Sequence, residues 1–173
     1  EWVKFSDASW YNDGFYYSRY PAPEKGAELS GNNLLHTVYF HKLGTPQSAD
    51  QLIYQDAERP YMYNSLFISE NKKYAFLVSS PGTDGSEIWY RPAGASRGAF
   101  MPLFTNTAEH NSVVDVTDDG RILMQTDVDA PTYRLVSVDP NNPAKENWIE
   151  IIPAGENMLQ GVGTGGGKLI ASY

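Results

Sequence analysis

Four stretches of the chain align without gaps: WYNDGFYYSRY (10–20), ISENKKYAFLV (68–78), VTDDGRILMQT (116–126) and GTGGGKLIASY (163–173). Each has an apolar or β-branched lead and a polar turn anchored at Gly14, Lys72, Gly120 or Gly167. Each then continues into a run rich in Tyr, Phe, Leu and Ile. Two strand-like runs around a polar turn make a β-hairpin. The hairpin returns about every 50 residues, the spacing of propeller blades. Two further strand-like runs follow each of the first three hairpins. HTVYFHK, EIWYR and YRLVSV come third; QLIYQDA, MPLFTNT and WIEIIPA come fourth. Between them lie LGTPQSAD, PAGASRGA and DPNNPAKE, which are rich in turn residues. The predicted fold is all-β: a β-propeller of four-stranded antiparallel blades over 1–60, 61–108 and 109–156, with an incomplete blade over 157–173. A β-sandwich also has short strands, but nothing in it repeats one hairpin at this period.

The second runs barely alternate. Tyr74, Ala75, Phe76, Leu77 and Val78 follow one another directly. A strand without a polar face is covered on both faces, and blades stacked on either side provide that cover. Aromatic residues at 13% suit such strands. The net charge of −8, with no cluster of Lys and Arg, disfavours a nucleic-acid duplex or an anionic membrane as partner. Cysteine is absent, so disulfides, thiolate metal sites and a cysteine nucleophile are excluded. That composition fits cytoplasm or periplasm alike. No apolar run reaches the roughly 18 residues of a membrane span, and EWVKFSD carries no signal-peptide pattern. The chain opens and closes on strand-like sequence and reads as part of a longer polypeptide.

Several constellations invite chemistry. Gly161, Gly163 and Gly166 fit G-x-G-x-x-G, but a phosphate-cradling loop leads into a helix, and LIASY is a strand. The glycines are therefore read as the turn of a fourth hairpin. GASRG (94–98) matches G-x-S-x-G, yet AFMPLF after it is strand-like where a nucleophile elbow needs a helix. Ser96 is read as a loop serine. His36 and His41, an odd offset apart, fall on opposite strand faces and cannot share a metal. One is expected in solvent and one in a hydrogen-bonded niche. Asp118, Asp119 and Gly120 form a turn, and the EF-hand spacing is missing. No cofactor, no metal site and no catalytic residue is predicted.

SWYNDGFYYSRYPAP, then HTVYFHKLGTPQSADQLIYQD, then SENKKYAFLVSS with IWYR after it, resemble the propeller of the prolyl oligopeptidase family. The most specific piece is His41, Leu43, Gly44 and Thr45 with Gln47, Ser48 and Asp50. The likeness is close over residues 1 to about 90 and continues as blade periodicity. It implies a parent serine peptidase that cleaves short peptides after proline. In that family a seven-bladed propeller covers an α/β-hydrolase domain holding the Ser, Asp and His of the triad. This chain would then be a non-catalytic part of the propeller, about three and a half blades. It would act as a substrate-size filter and pocket wall. Its partners would be short proline-containing peptides and the hydrolase domain of the same polypeptide. The HKLGTPQSAD segment argues against a dipeptidyl or acylaminoacyl peptidase of the same clan.

Strands running up, down, up, down put the linkers between blades and the second-to-third-strand loops on one face. The NDG and DDG turns go to the other. The resemblance implies two substrate-facing positions on the first of these faces, at Met62 or Tyr63 and near Thr83. Where that family can carry a cysteine, this chain has Thr83. The loop PAPEKGAELSGNN (21–33) lies on the same face and is expected to be mobile and to border the hydrolase or a neighbouring blade. The competing function is a stand-alone binding propeller for protein or glycan.

Overall fold

The computed structural model describes residues 1–83, 85–95 and 99–173. Ser96 and Gly98 of the GASRG match lie outside them. Among the described residues fourteen strands form in chain order: β1 (Ser9–Tyr11), β2 (Gly14–Arg19), β3 (Thr37–Lys42), β4 (Gln51–Tyr54), β5 (Tyr63–Ile68), β6 (Tyr74–Ser80), β7 (Glu87–Pro92), β8 (Met101–Phe104), β9 (Asn111–Val116), β10 (Ile122–Thr126), β11 (Arg134–Val138), β12 (Ile149–Ile152), β13 (Gly161–Gly165) and β14 (Lys168–Ser172). They pair antiparallel with their sequence neighbours into three four-stranded sheets and a closing hairpin. Among the described residues the helical elements are single 3₁₀ turns, and no helix is long and apolar enough to cross a membrane.

Strand β6 shows how the sheets stack. Phe76 points into a cluster with Ile122, Met124, Val136 and Val138 of the third sheet. Its neighbours Ala75 and Leu77 point the other way, into a cluster with Tyr16 and Val38 of the first. All three are buried. Period-2 alternation thus splits one apolar run between two neighbouring blades.

The hairpins are less alike than a gap-free alignment implies. Gly14 opens β2 opposite Lys42, and Tyr74 opens β6 opposite Pro92. Ser18 and Val78 then meet the third-strand bulges at Val38/Tyr39 and Ile88/Trp89. Gly14 is therefore the counterpart of Tyr74 rather than of Lys72. The first hairpin has a shorter turn, with Asn12 as its left-handed residue. The offset is even, so every side chain keeps its face. Gly14 is needed for a different reason: a Cβ there would lie 2.1 Å from the carbonyl oxygen of His41. The last hairpin turns through Gly166 and Gly167 at φ +58° and +71°, the geometry of a type I′ turn. The glycine-rich stretch is a turn between strands.

The two faces differ. On one, the β5–β6 and β9–β10 turns are tied together: Asn71 Nδ2 donates to the Val116 carbonyl at 2.8 Å, and Lys73 Nζ to that of Asp118. On the other, loops meet linkers: Leu35 N–H donates to Pro60 O at 2.6 Å and Leu159 N–H to Thr132 O at 2.8 Å.

Phe76→Ala is expected to cost about 3–5 kcal/mol and Leu77→Ala about 2–5 kcal/mol, each by leaving a cavity in a different cluster. Gly14→Ala should lower the urea midpoint as well, because backbone has to move. Urea unfolding followed by tryptophan fluorescence checks all three; an unchanged midpoint for Phe76→Ala would contradict the blade stacking.

Candidate functional site

The face of loops and linkers carries the residues singled out from the sequence. The turn closed by Met62 N–H donating to Arg59 O leads into β5. Met62 is buried, whereas Tyr63 is 39% exposed. Tyr63 pairs with Ser80 across β5 and β6, and Thr83 follows Ser80 in an exposed loop. The Ser80 hydroxyl donates to the carbonyls of Gly82 and Gly85, at 2.6 and 2.9 Å, which shapes that loop. Tyr63 and Thr83 are thus at one end of the second blade, with Met62 beneath.

Around Tyr63 the face is apolar. Phe5, from the N-terminal segment, meets the Tyr63 ring edge to face at 5.7 Å. Phe5, Tyr61 and Leu34 are exposed. Residues 21–35 arch over a cavity of about 200 Å³ floored by Trp2, Tyr20 and Leu35, with Glu28 at its wall. The arch has its own turns, with Ala27 N–H donating to Glu24 O and Gly31 N–H to Ala27 O.

Polar groups brace the same face. Arg59 grips Glu87 with both terminal nitrogens, at 2.7 and 3.0 Å, and its Nε reaches Asp56 at 2.8 Å. Asp56 also accepts the amides of Glu58 and Arg59. Burial pushes the Asp56 carboxyl up, but the Arg59 amide and guanidinium outweigh it and hold the group below the ordinary carboxylate range. The Glu87 carboxylate, with Asp56, holds the guanidinium firmly charged. In the third blade, Asp127 accepts the His110 amide at 2.7 Å and lies 2.8 Å from its ring Nδ1.

Both remaining histidines are in niches, so the expected solvated histidine is absent. His36 is buried between the first two blades. His41 is on the uncovered face of the first blade beside Phe15 and Tyr17. Its Nδ1 is 2.7 Å from Oδ1 of Asp50, whose side chain is fully buried. The Tyr17 hydroxyl donates to the other Asp50 oxygen at 2.5 Å. Burial, then that bond, pushes the Tyr17 phenol up to about 12. Gln47 Nε2 donates to the same hydroxyl at 3.1 Å. The segment from His41 to Asp50 is therefore a clip. A turn at Lys42–Thr45 and the 3₁₀ turn Gln47–Ala49 swing Asp50 back onto the strand it came from. His41 borders a cavity with Ser6, but the Ser6 hydroxyl donates to Asp7 O and accepts the Ser18 amide, so it is committed to backbone. Among the described residues no cluster of His, Cys, Asp and Glu could hold a metal ion.

The sequence reading missed the Arg59–Asp56–Glu87 brace. Its only local signal is the Asp-x-x-Arg spacing of DAER, in which Asp56 caps the turn carrying Arg59. Nothing near it points to Glu87.

Comparison with known proteins covers the whole chain. The family model for the N-terminal β-propeller domain of prolyl oligopeptidase matches residues 1–173. The prolyl endopeptidase of Elizabethkingia meningoseptica is 37% identical over 172 residues, which are 99% of this chain and 24% of the relative. Prolyl oligopeptidase A of Galerina marginata is 33% identical, covering 94% of this chain and 23% of the relative. A solved structure from a study of two prolyl endopeptidases superposes with a TM-score of 0.85 at 30% identity, over 100% of this chain and 24% of that one. Prolyl oligopeptidase B from Galerina marginata, bound to a 35mer hydrolysis and macrocyclization substrate, gives 0.87 at 24% identity over 98% and 24%, a likeness of fold. The chain spans about a quarter of the length of these relatives. Matched from end to end, with blades that superpose, this chain belongs to the prolyl oligopeptidase family as part of its N-terminal β-propeller domain.

Proposed function

We propose that this chain is a portion of the propeller of a serine peptidase that cleaves short peptides after proline, and that it filters substrates by size and walls the substrate pocket. The observation that carries the reading is its end-to-end likeness to a prolyl endopeptidase four times its length. A closed ring of blades over a hydrolase domain keeps folded proteins and bulk water from the nucleophile, as lids do. The chain itself supplies wall rather than nucleophile, and the triad belongs to the hydrolase part of the parent.

The wall is the face bearing Tyr63 and Thr83. Exposure favours Tyr63 over Met62 as the pocket-facing member of that pair, because a side chain that is 3% exposed packs inward. The apolar neighbours Phe5, Tyr61 and Leu34 suit a partner surface or an extended peptide. The Arg59–Glu87 brace keeps the linker and β7 in register beneath them. A free-standing binding propeller remains the rival, and one assay separates the two.

The purified chain should not turn over a proline-containing reporter peptide. Joined to the hydrolase part of its parent polypeptide it should, and Tyr63→Ala should then lower kcat/KM about tenfold with the larger change in KM. Turnover by the chain alone would overturn the reading; an unaltered KM would remove Tyr63 from the wall. The native chain has no cysteine, so Thr83→Cys introduces a single thiol. It should react readily with a maleimide in the chain alone and be shielded once the hydrolase part is present. The uncovered β14 strand, with Leu169 and Ile170 exposed, should make the isolated chain self-associate. Light scattering that shows a stable monomer at high concentration would contradict this.

A further inference from the structure

The most constrained group that the proposed function leaves unused is His36. Its ring is buried where three segments of chain meet. Nε2 is 2.9 Å from the carbonyl oxygen of Lys4, in the N-terminal strap. Nδ1 accepts the backbone amide of Asn64, at the start of β5, at 3.0 Å. Asn64 Nδ2 returns a bond to the His36 carbonyl at 2.8 Å, and Asn64 Oδ1 accepts the Ser79 hydroxyl at 2.6 Å. A carbonyl only accepts and an amide N–H only donates, so this geometry permits one tautomer. The proton is on Nε2 and Nδ1 is bare.

We propose that His36 is an acid-operated latch: its neutral ring pins the N-terminal strap and the start of β5 together, and protonation at Nδ1 releases both. A proton on Nδ1 would face the Asn64 N–H head to head inside a buried seam. The ring could keep one bond or the other, not both. The titratable groups on the elements packed around it give the cation no support. The Tyr20 ring is stacked at 4.7 Å and the Tyr63 ring meets it edge to face at 6.0 Å. The Lys4 ammonium is itself positive and is spent on Asn33 and the Trp2 ring. In the adjoining linker, Arg59 is neutralised by Asp56 and Glu87. No carboxylate among the described residues bonds the imidazole. Burial lowers the affinity of this ring for a proton, against a weaker opposing pull from the Lys4 carbonyl.

The sign follows. The released state takes up a proton near the ordinary histidine value of about 6.5, and the latched state only at lower pH. The latch therefore contributes fully above that value and is lost as pH falls through the interval below it. Release would free Trp2, whose carbonyl accepts the Tyr20 amide, and Phe5 with its partner Tyr63. The inference concerns the seam of this chain and stands whether or not Tyr63 walls a substrate pocket.

Hydrogen exchange at the Asn64 and Tyr20 amides, corrected for intrinsic rates, reads the latch in the chain as it is. Between pH 7 and pH 5.5 the opening equilibrium should rise about tenfold. His36→Gln, which offers an acceptor and a donor but no titration, should show no such rise. His36→Ala should exchange quickly at both pH values. If the variants fail to fold, long-range ¹⁵N–¹H correlation spectra of the wild-type ring decide alone. They should show Nε2–H with bare Nδ1 at pH 7, and protonation only together with loss of Asn64 protection. An Nδ1–H tautomer would overturn the latch, as would an imidazole that titrates near 6.5 while Asn64 stays protected, or a His36→Gln chain that opens like wild type.

Discussion

The structure depends on one strand having two neighbours. In β6, Phe76 belongs to the core shared with the third blade, and Ala75 and Leu77 to the core shared with the first. Each of these three side chains packs against a neighbouring sheet. A blade is about one side chain thick on either side of its backbone, so it has no interior to bury against. The free energy that holds it comes from area removed from water at its two seams, at roughly 25 cal/mol per Å². Stability is then a property of neighbouring pairs, as in other stacked-repeat folds. The end of the chain shows the converse. β14, paired only to β13, is exposed along its whole length.

Polar groups refine these seams unequally. Between the first and second blades, Asn64 has its amide satisfied by His36, Ser79 and Met62. Asn111 opens β9 opposite Thr126, much as Asn64 lies opposite Ser79. Where His36 precedes the third strand of the first blade, Ser86 precedes that of the second, and its shorter side chain makes no bond to Asn111. Both amide atoms of Asn111 are buried and without a partner among the described residues. Two seams with the same apolar plan thus differ in how firmly their polar rim is closed. The first is locked by a ring that can hold or lose a proton.

The blade plan could be read in the sequence because it is written twice, once as a strand period of two and once as a hairpin period of about 50. The gap-free alignment failed by two residues at Gly14 because turn length leaves little trace in apolar pattern. A two-residue turn at Asn12 and Asp13 and the longer turn around Lys72 both present polar letters and then a Tyr-rich run. At the first hairpin the even shift preserves facing, but Met124, aligned with Phe76, points back into the same seam, so the third hairpin is displaced by an odd number and its faces are exchanged. The site was less legible. His41 and Asp50 could be quoted as a motif, but that they clasp each other depends on a 3₁₀ turn no local period announces. Arg59 comes from the linker between β4 and β5 and Glu87 from the start of β7, and only the assembled blade brings them together. Met62 and Tyr63 could not be told apart by position. They differ by facing, which a one-residue change of register reverses.

The two faces of the stack carry different kinds of constraint, and this bears on where function can reside. On the turn face, side chains of one blade bond the backbone of the next: Asn71 to Val116, and Lys73 to Asp118. Such bonds fix the angle between blades and leave little freedom in the turns that make them. On the opposite face the links run from loop backbone to linker backbone, as at Leu35 and Pro60, or pass through the paired charges of Arg59, Asp56 and Glu87. Backbone links leave the side chains free to vary. Tyr63, Tyr61, Phe5 and Thr83 can therefore be chosen for what they touch rather than for what they hold up. A rigid scaffold that presents variable loops at one rim is the usual architecture of recognition.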